Sequence, residues 1–323
     1  MGYRYMRLVL QTTIGTTVPT DTYIDFIKES ATHSQHIQDP QTVGYKSPVA
    51  QSTGLYGPIP NAIDIPMNPT DIGYLLYMLF GTKTTHLVHP GSYLHEFKPS
   101  QTVRFYTVAI GKETFEKVYD SFTCKKWTWT WGDGSPLGCS FDTLSRMDEI
   151  GAVTAPTFAT NRKFLSSNNM TVMIGGAIRG TKGGTLSIEG VLKEDKFNAG
   201  DRYIIGWARE VYKLDLSLDL WFDDEVQQRR FYDGLITGGL GKSPANSITQ
   251  FPITIDAQDP ANLINAWNPY RVYVNIPQCV FDEIGEPVSE RTGILQTIKV
   301  KAVIDPTLGE ICQVDLYNER GGY

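Results

Sequence analysis

At 323 residues, 41% apolar and 20% charged, the chain is long enough for two domains of about 150 residues, each able to bury a core without disulfides or metal. A net charge of −6 excludes gripping nucleic-acid phosphates as its main task, though not letting DNA slide past a like-charged wall. Four scattered cysteines without a CxxC read as reduced thiols from a cytoplasm, and neither a signal-peptide pattern nor a membrane-spanning stretch is present, so no membrane partner is expected.

Thirty glycines and eighteen prolines among many Thr and Val residues favour strands joined by turns. Residues 1–22 read as an arm, followed by a strand at Tyr23–Ser30. The Gly/Pro-rich run Gln38–Pro60 reads as a long loop. Asn61–Met67 alternates, with Ile63, Ile65 and Met67 on one face and Asp64 on the other. Asn68-Pro69-Thr70-Asp71 opens a helix that buries Ile72, Leu75, Leu76 and Leu79 and stops at Gly81. His86–His95, interrupted by Pro90 and Gly91, reads as a loop, and Glu96–Ala109 as an extended run.

Phe122–Trp131 is a strand with Trp127, Trp129 and Trp131 on one face and Thr128 and Thr130 on the other. The indoles read as core or interface; a sugar-binding row is the alternative. Cys139–Leu144 returns the chain, and Asp148–Pro156 reads as a linker. After Lys163–Ile178, the glycine-rich Gly175–Gly190 reads as a mobile hairpin and Lys193–Arg202 as solvated. In Lys213–Leu220, four leucines (214, 216, 218, 220) alternate with Lys213, Asp215, Ser217 and Asp219, so one face is core and the other wet. Asp223-Asp224-Glu225 opens a second helix to Ile236. The last strands are Tyr270–Pro277, Gly293–Ile304, where Lys299 and Lys301 oppose Ile298 and Val300, and Gly309–Tyr317.

The second half thus replays the first: a strand, a short helix, an extended run, then a Tyr-led strand pair. The offsets are 154 for Phe97 and Phe251, 151 for Tyr119 and Tyr270, and 155 for Cys124 and Cys279. The expected units are residues 1–155, with an N-terminal arm and loop 38–60, and residues 156–323, with a glycine-rich hairpin at 175–205.

No catalytic constellation emerges. Gly238–Ser243 ends in Gly-Lys-Ser but has Ile236 where a phosphate loop needs glycine, and it follows a helix. The pairs His33/His36 and His86/His89 lack an HExxH frame, no GxSxG elbow surrounds a nucleophile, and the paired carboxylates sit at strand ends or caps. The chain is expected to be no enzyme, with no cofactor and no metal.

Four stretches carry a family resemblance: Thr16–Ser30, Ile63–Gly81 ending LLYMLFG, His95–Pro99 followed by a strand and Tyr119–Trp131, and Tyr270–Phe281 with Gln296–Asp305 and Asn318. With these the chain resembles the tail tube (major tail) proteins of long-tailed bacteriophages. The resemblance implies a mainly β fold with minor α: two duplicated β-sandwich or barrel units, each with a packed short helix. It implies a structural virion protein, assembled in the host cytoplasm, whose rings stack into a hollow tail tube that passes double-stranded DNA without specific binding. The ring is expected to be a trimer with pseudo-sixfold symmetry, with a hexamer as the alternative. Tail terminator, tape measure and baseplate proteins are the implied partners. On this reading Asp64, Thr128, Thr130, Asp215, Ser217, Asp219, Lys299 and Lys301 are lumen candidates. Lys299 and Lys301 either pair with neighbouring acids or lie on an outward strand. Ring-stacking loops are expected to use Tyr45, Lys46, Leu55 and Tyr56, and Arg179, Lys182, Leu186 and Ile188. The competing readings are a tube-end adaptor or baseplate protein of related fold, and a carbohydrate-binding module using the Trp127/Trp129/Trp131 row.

Overall fold

Segments that alternate apolar and polar residues fold as strands, and antiparallel ladders organise the chain. A computed structural model describes residues 3–32, 57–132, 134, 136–157, 163–198, 203–221, 227, 231, 249–285 and 295–323. Its fold is mainly β with minor α.

One continuous sheet runs through both halves. In spatial order it holds β3 (Lys28–Ala31), β4 (Ile59–Pro66), β9 (Gly138–Ser145), the C-terminal part of β8 (Glu116–Trp131), β13 (Thr181–Lys193), β14 (Ala208–Trp221), β17 (Leu295–Ala302) and the C-terminal part of β16 (Pro269–Ile284). The N-terminal part of β8 belongs to a second sheet, ordered β2 (Thr22–Ile24), β1 (Tyr3–Gln11), β7 (Phe105–Glu113), β8 and β10 (Met147–Gly151). The N-terminal part of β16 belongs to a third, ordered β12 (Ala177–Arg179), β11 (Met170–Ile174), β15 (Phe251–Leu263), β16, β18 (Gln313–Asn318), β6 (Ser92–Pro99) and β5 (Gly81–His89). β8 changes sheets at Ser121, whose φ of 51° is unusual for a residue with a side chain. Hydrogen bonds hold it there: its N–H donates to Gln11 Oε1 at 2.9 Å, and its Oγ accepts from the Gly15 N–H at 3.0 Å.

Both halves use the same pairings. The ladders β1–β2, β1–β7, β3–β4, β4–β9, β7–β8, β8–β9 and β8–β10 are matched by β11–β12, β11–β15, β13–β14, β14–β17, β15–β16, β16–β17 and β16–β18. Bulges recur at matching places. The β7–β8 ladder shifts at Tyr106/Val108 and β15–β16 at Phe251/Ile253, while β8–β9 shifts at Cys124/Lys126 and β16–β17 at Phe281/Glu283. Following the ladders, Phe122 corresponds to Cys279 and Cys124 to Phe281, an offset of 157, and Asp64 to Asp219, an offset of 155. Matching residue types had instead aligned Cys124 with Cys279 and Phe97 with Phe251. Phe97 lies in β6, and the β5–β6 hairpin has no counterpart among the described residues of the second half.

Several expected elements differ. The Tyr23–Ser30 strand breaks into β2 and β3. The expected linker contains β10, and the expected histidine loop is the β5–β6 hairpin turning at Pro90-Gly91. Gly175–Gly190 is no mobile hairpin: Gly175-Gly176 turns β11 into β12, and the rest runs into β13, between β8 and β14. The second helix, expected at 223–236, falls outside the described residues except for Gln227 and Phe231, both helical.

α1 (Ile72–Phe80) starts later than proline-first reading placed it, because Pro69–Asp71 form a turn in which the Thr70 N–H donates to Asn68 Oδ1 at 2.9 Å. All nine of its residues are buried, not a stripe alone, and it touches β8, β5, β6 and β13. Gly81 ends it at φ 77°, donating its N–H to the Tyr77 carbonyl, and a Cβ there would sit 1.9 Å from the Thr102 carbonyl oxygen. The main core is an apolar cluster drawn from both halves, and a smaller second cluster gathers Leu144, Leu192, Ile204 and Trp207.

Candidate functional site

The continuous sheet has one apolar and one polar face. On the apolar face Ile63, Ile65, Trp127, Trp129, Leu186, Ile188, Leu216, Leu218 and Ile298 are fully or almost fully buried. Trp127 stacks on Trp129 at 5.8 Å and on Phe141 at 6.2 Å, and Trp131 is 5% exposed. These indoles are core, which removes the exposed tryptophan row that a glycan-binding surface needs.

The polar face gathers every lumen candidate named from the sequence. Lys28, Asp64, Ser140, Thr128, Ser187, Asp215 and Lys301 stand opposite one another, strand by strand. The next row holds Gly138, Thr130, Thr185, Ser217, Lys299 and Glu283. Beside these, Gly183, Asp219 and Thr297 form a third row and Asp142, Lys126, Glu189 and Lys213 a fourth. Directly opposed side chains on one face lie close enough to interact. Accordingly, Lys299 Nζ pairs with Glu283 at 2.6 Å, Lys301 Nζ with Asp282 at 2.8 Å, and the Thr297 hydroxyl donates to Asp219 at 2.6 Å. The hydrogen bonds that Lys299 and Lys301 donate to Glu283 and Asp282 raise the pKa of both lysines. Seven carboxylates (Asp64, Asp142, Glu189, Asp215, Asp219, Asp282, Glu283) face five lysines (Lys28, Lys126, Lys213, Lys299, Lys301), so the face is a mixed, mildly acidic lattice.

The stacking candidates scatter. Tyr45, Lys46, Leu55 and Tyr56 lie outside the described residues. Leu186 and Ile188 are 0% exposed inside β13 and leave the loop set, because the strand's period of two turns them into the core. Arg179 closes β12 and Lys182 sits in the irregularity that opens β13, at the sheet end where Ile178 and Trp221 are exposed. The β3–β4 connection leaves from the opposite end, and its counterpart by pairing is the β13–β14 connection rather than the Gly175–Gly190 stretch.

Sequence reasoning missed the groups that lock the halves together. Arg209, 4% exposed in β14, donates to the carbonyls of Met78 at 3.1 Å and Cys124 at 3.3 Å, and the Tyr212 hydroxyl donates to the Phe80 carbonyl at 3.1 Å. A cation and a hydroxyl from the second half thus satisfy the carbonyl end of the first half's helix, where the macrodipole favours positive charge. Burial lowers the pKa of Arg209. Only a buried arginine in an otherwise apolar-alternating stretch could have signalled this.

Chemically reactive groups are muted. All four thiols are buried, and burial pushes Cys139 and Cys279 up to about 12. Among the described residues, no group of three or more His, Cys, Asp or Glu is placed to hold a metal. His95, expected in a loop, is buried in β6, where Thr85, Asn318 and the Arg320 carbonyl bond its ring.

No curated protein matches the chain. The family model described as phage tail tube protein matches residues 5–302.

Proposed function

Because the chain belongs to the phage tail tube protein family, we propose that it is the repeating subunit of a hollow tail tube, its continuous polar sheet face turned to the lumen. The observation that carries this reading is one sheet crossing both halves, apolar on the helix side and polar on the other. Asp64, Thr128, Thr130, Asp215, Ser217, Asp219, Lys299 and Lys301 then line the channel. Carboxylates outnumber lysines there, and Lys299 and Lys301 are already occupied by Glu283 and Asp282, so DNA phosphates find little to hold them.

The matching ladders support two tube units per chain, residues 1–155 and 156–323, each contributing four strands to the wall. Three chains give about 24 strands. At a spacing of about 4.8 Å and a tilt of 35–45°, these close a cylinder roughly 45–52 Å across between backbones. That leaves room for a DNA duplex with side chains and water, whereas six chains built the same way would double the bore. The trimer with pseudo-sixfold symmetry is therefore favoured. Rings stack head to tail through Arg179 and Lys182 at one end and the β3–β4 connection at the other, and the tube joins terminator, tape measure and baseplate proteins in the virion tail after assembly in the host cytoplasm. This role is structural, not enzymatic.

Negative-stain electron microscopy across a concentration series tests the reading. Long hollow tubes with threefold or pseudo-sixfold class averages are expected. Single rings that never stack would favour a tube-end adaptor, and monomers even when seeded with preformed tubes would overturn the proposal.

A further inference from the structure

The segment that follows β18 is held without a ladder. The pairings of β18 with β16 and β6 reach Tyr317 and Asn318, and among the described residues no backbone–backbone hydrogen bond involves residues 319–323. Gly321 and Gly322 are exposed, and a Cβ on either would meet nothing nearer than 3.4 Å, so packing leaves that backbone loose. What holds the segment is a set of contacts to the first half. The Thr70 hydroxyl donates to Glu319 at 3.2 Å, and Arg320 donates to the Tyr74 hydroxyl. His95 Nε2–H donates to the Arg320 carbonyl at 2.8 Å, and Lys83 donates to the Tyr323 carbonyl.

Tyr323 is the anchor. Its ring lies edge-on to Tyr74 at 4.9 Å and to His95 at 4.8 Å, with Lys83 Nζ 5.4 Å from its centroid. Gly73 of α1 makes the space, since a Cβ there would sit 2.1 Å from Tyr323 Cζ. At the floor of the slot the Tyr323 hydroxyl donates to the Pro69 carbonyl at 3.1 Å and accepts from Asn318 Nδ2. An aromatic slot with one acceptor and one donor converging on a single hydroxyl specifies a phenol. A phenylalanine would fill the slot and make neither bond.

We propose that this slot is a tyrosine-binding site with Tyr323 as its tethered ligand, and that the ligand leaves and returns while both halves stay folded. Its departure breaks no ladder, and segments without ladder bonds open at a fraction of the cost of global unfolding. The two ends of α1 are then gripped differently by the second half. Arg209 and Tyr212, fixed within β14, hold its carbonyl end, whereas the grip at its start is releasable.

The probe is p-cresol, a free phenol of the same shape. Trypsin needs an extended segment, so cleavage after Arg320, read by mass spectrometry, follows the open population where closing outpaces cutting. In the native chain p-cresol competes with Tyr323. At about ten times its dissociation constant for the slot it should speed this cleavage about tenfold, with a free peptide as the reference for trypsin itself. Toluene lacks the hydroxyl and should act roughly tenfold more weakly. Tyr323→Ala, with native circular dichroism, should be cut rapidly with or without p-cresol and should bind p-cresol in isothermal titration calorimetry. Adding Gly73→Ala should abolish that binding. Tyr323→Phe should be cut a few-fold faster than the native chain. A natively folded Tyr323→Ala that binds no p-cresol would overturn the site. Binding by that variant without any quickening in the native chain would show that the tethered ligand never leaves, and would overturn its release. Loss of native circular dichroism in Tyr323→Ala but not in Tyr323→Phe would make the ring part of the core and overturn the proposal as well.

Discussion

The two faces of β14 divide the work of the chain. Leu214, Leu216, Leu218 and Leu220 are at most 3% exposed and belong to the common core, whereas Lys213 and Asp215, one residue away, are exposed. The same division runs across all eight strands of the continuous sheet. A period of two lets one strand specify the fold with every second residue and leave the others free for the polar face. Substitutions on the apolar face should therefore cost stability, and those on the polar face should change what the surface meets.

The largest effect is expected at Trp129. It is fully buried between Trp127 and Trp131, with ring centroids at 5.8 and 5.4 Å. Trp129→Ala should destabilise by about 4 kcal/mol, the range of large-to-small changes in a packed core. Urea unfolding monitored by circular dichroism checks it, and a loss under about 1 kcal/mol would mean that the indole row is not core.

Arg209 is a test of whether the interior tolerates charge only where it is used. Arg209→Ala leaves the Met78 and Cys124 carbonyls without that donor, so a loss of about 3 kcal/mol is expected from two buried acceptors. Arg209→Lys keeps the charge but loses the planar guanidinium in which Nη2 donates to both carbonyls and Nη1 to the Tyr212 hydroxyl at 2.8 Å, and should lose roughly half as much. Equal losses in the two variants would show that the guanidinium geometry, and not charge at the helix end, is what matters.

Asp71, before α1, gives the interior a pH dependence. Burial raises its pKa to about 7, opposed by the charge of Arg320 and reinforced by that of Glu319. Below about 4 it is protonated in both states and costs nothing. As pH rises toward 7 the unfolded chain releases the proton while the folded one holds it, so stability falls, and above about 7 the loss levels off. Asp71→Asn should remove a loss on the order of 2 kcal/mol between pH 4.5 and 7.5. Unfolding free energies that run parallel for the two proteins over that range would rule this out.

Much of the division was legible. Strict alternation at Lys213–Leu220 and at Trp127–Trp131 identified both strands and both faces, because nothing but pleating is needed to read them. β13 was misread because glycine usually signals a turn. Here Gly184 lets the backbone approach Trp131, whose ring a Cβ would meet at 2.5 Å, so its cause lies in a strand more than fifty residues away. The β5–β6 hairpin was hidden by its histidines and by Pro90-Gly91, although the Thr-rich run before them and Tyr93–Phe97 after them carry strand-forming residues. The shared pairing pattern was visible in part in element order but not in residue offsets, since unequal connections shift the frame between ladders, 155 for Asp64 and Asp219 against 157 for Phe122 and Cys279. The locking role of Arg209 depends on a helix end brought from the other half, which no local pattern encodes.

The smallest stability change, and the sharpest functional one, is expected on the polar face. Asp215 is exposed, with Ser187 and Lys301 across from it, and Asp64 and Asp219 are part-exposed at the corresponding positions of the two halves. Replacing all three by lysine leaves the apolar face untouched, so each change should alter monomer stability by no more than about 0.5 kcal/mol. It would turn seven carboxylates and five lysines into four and eight. Tubes of this variant should retain a fluorescent DNA duplex loaded into them at low salt, and release it as salt rises, because bound phosphates surrender counterions. Co-sedimentation of DNA with tubes at 50 and 300 mM salt reads this out. If variant and parent tubes carry the same small amount of DNA at both salts, the polar face does not meet DNA, and the lumen must be lined by another surface.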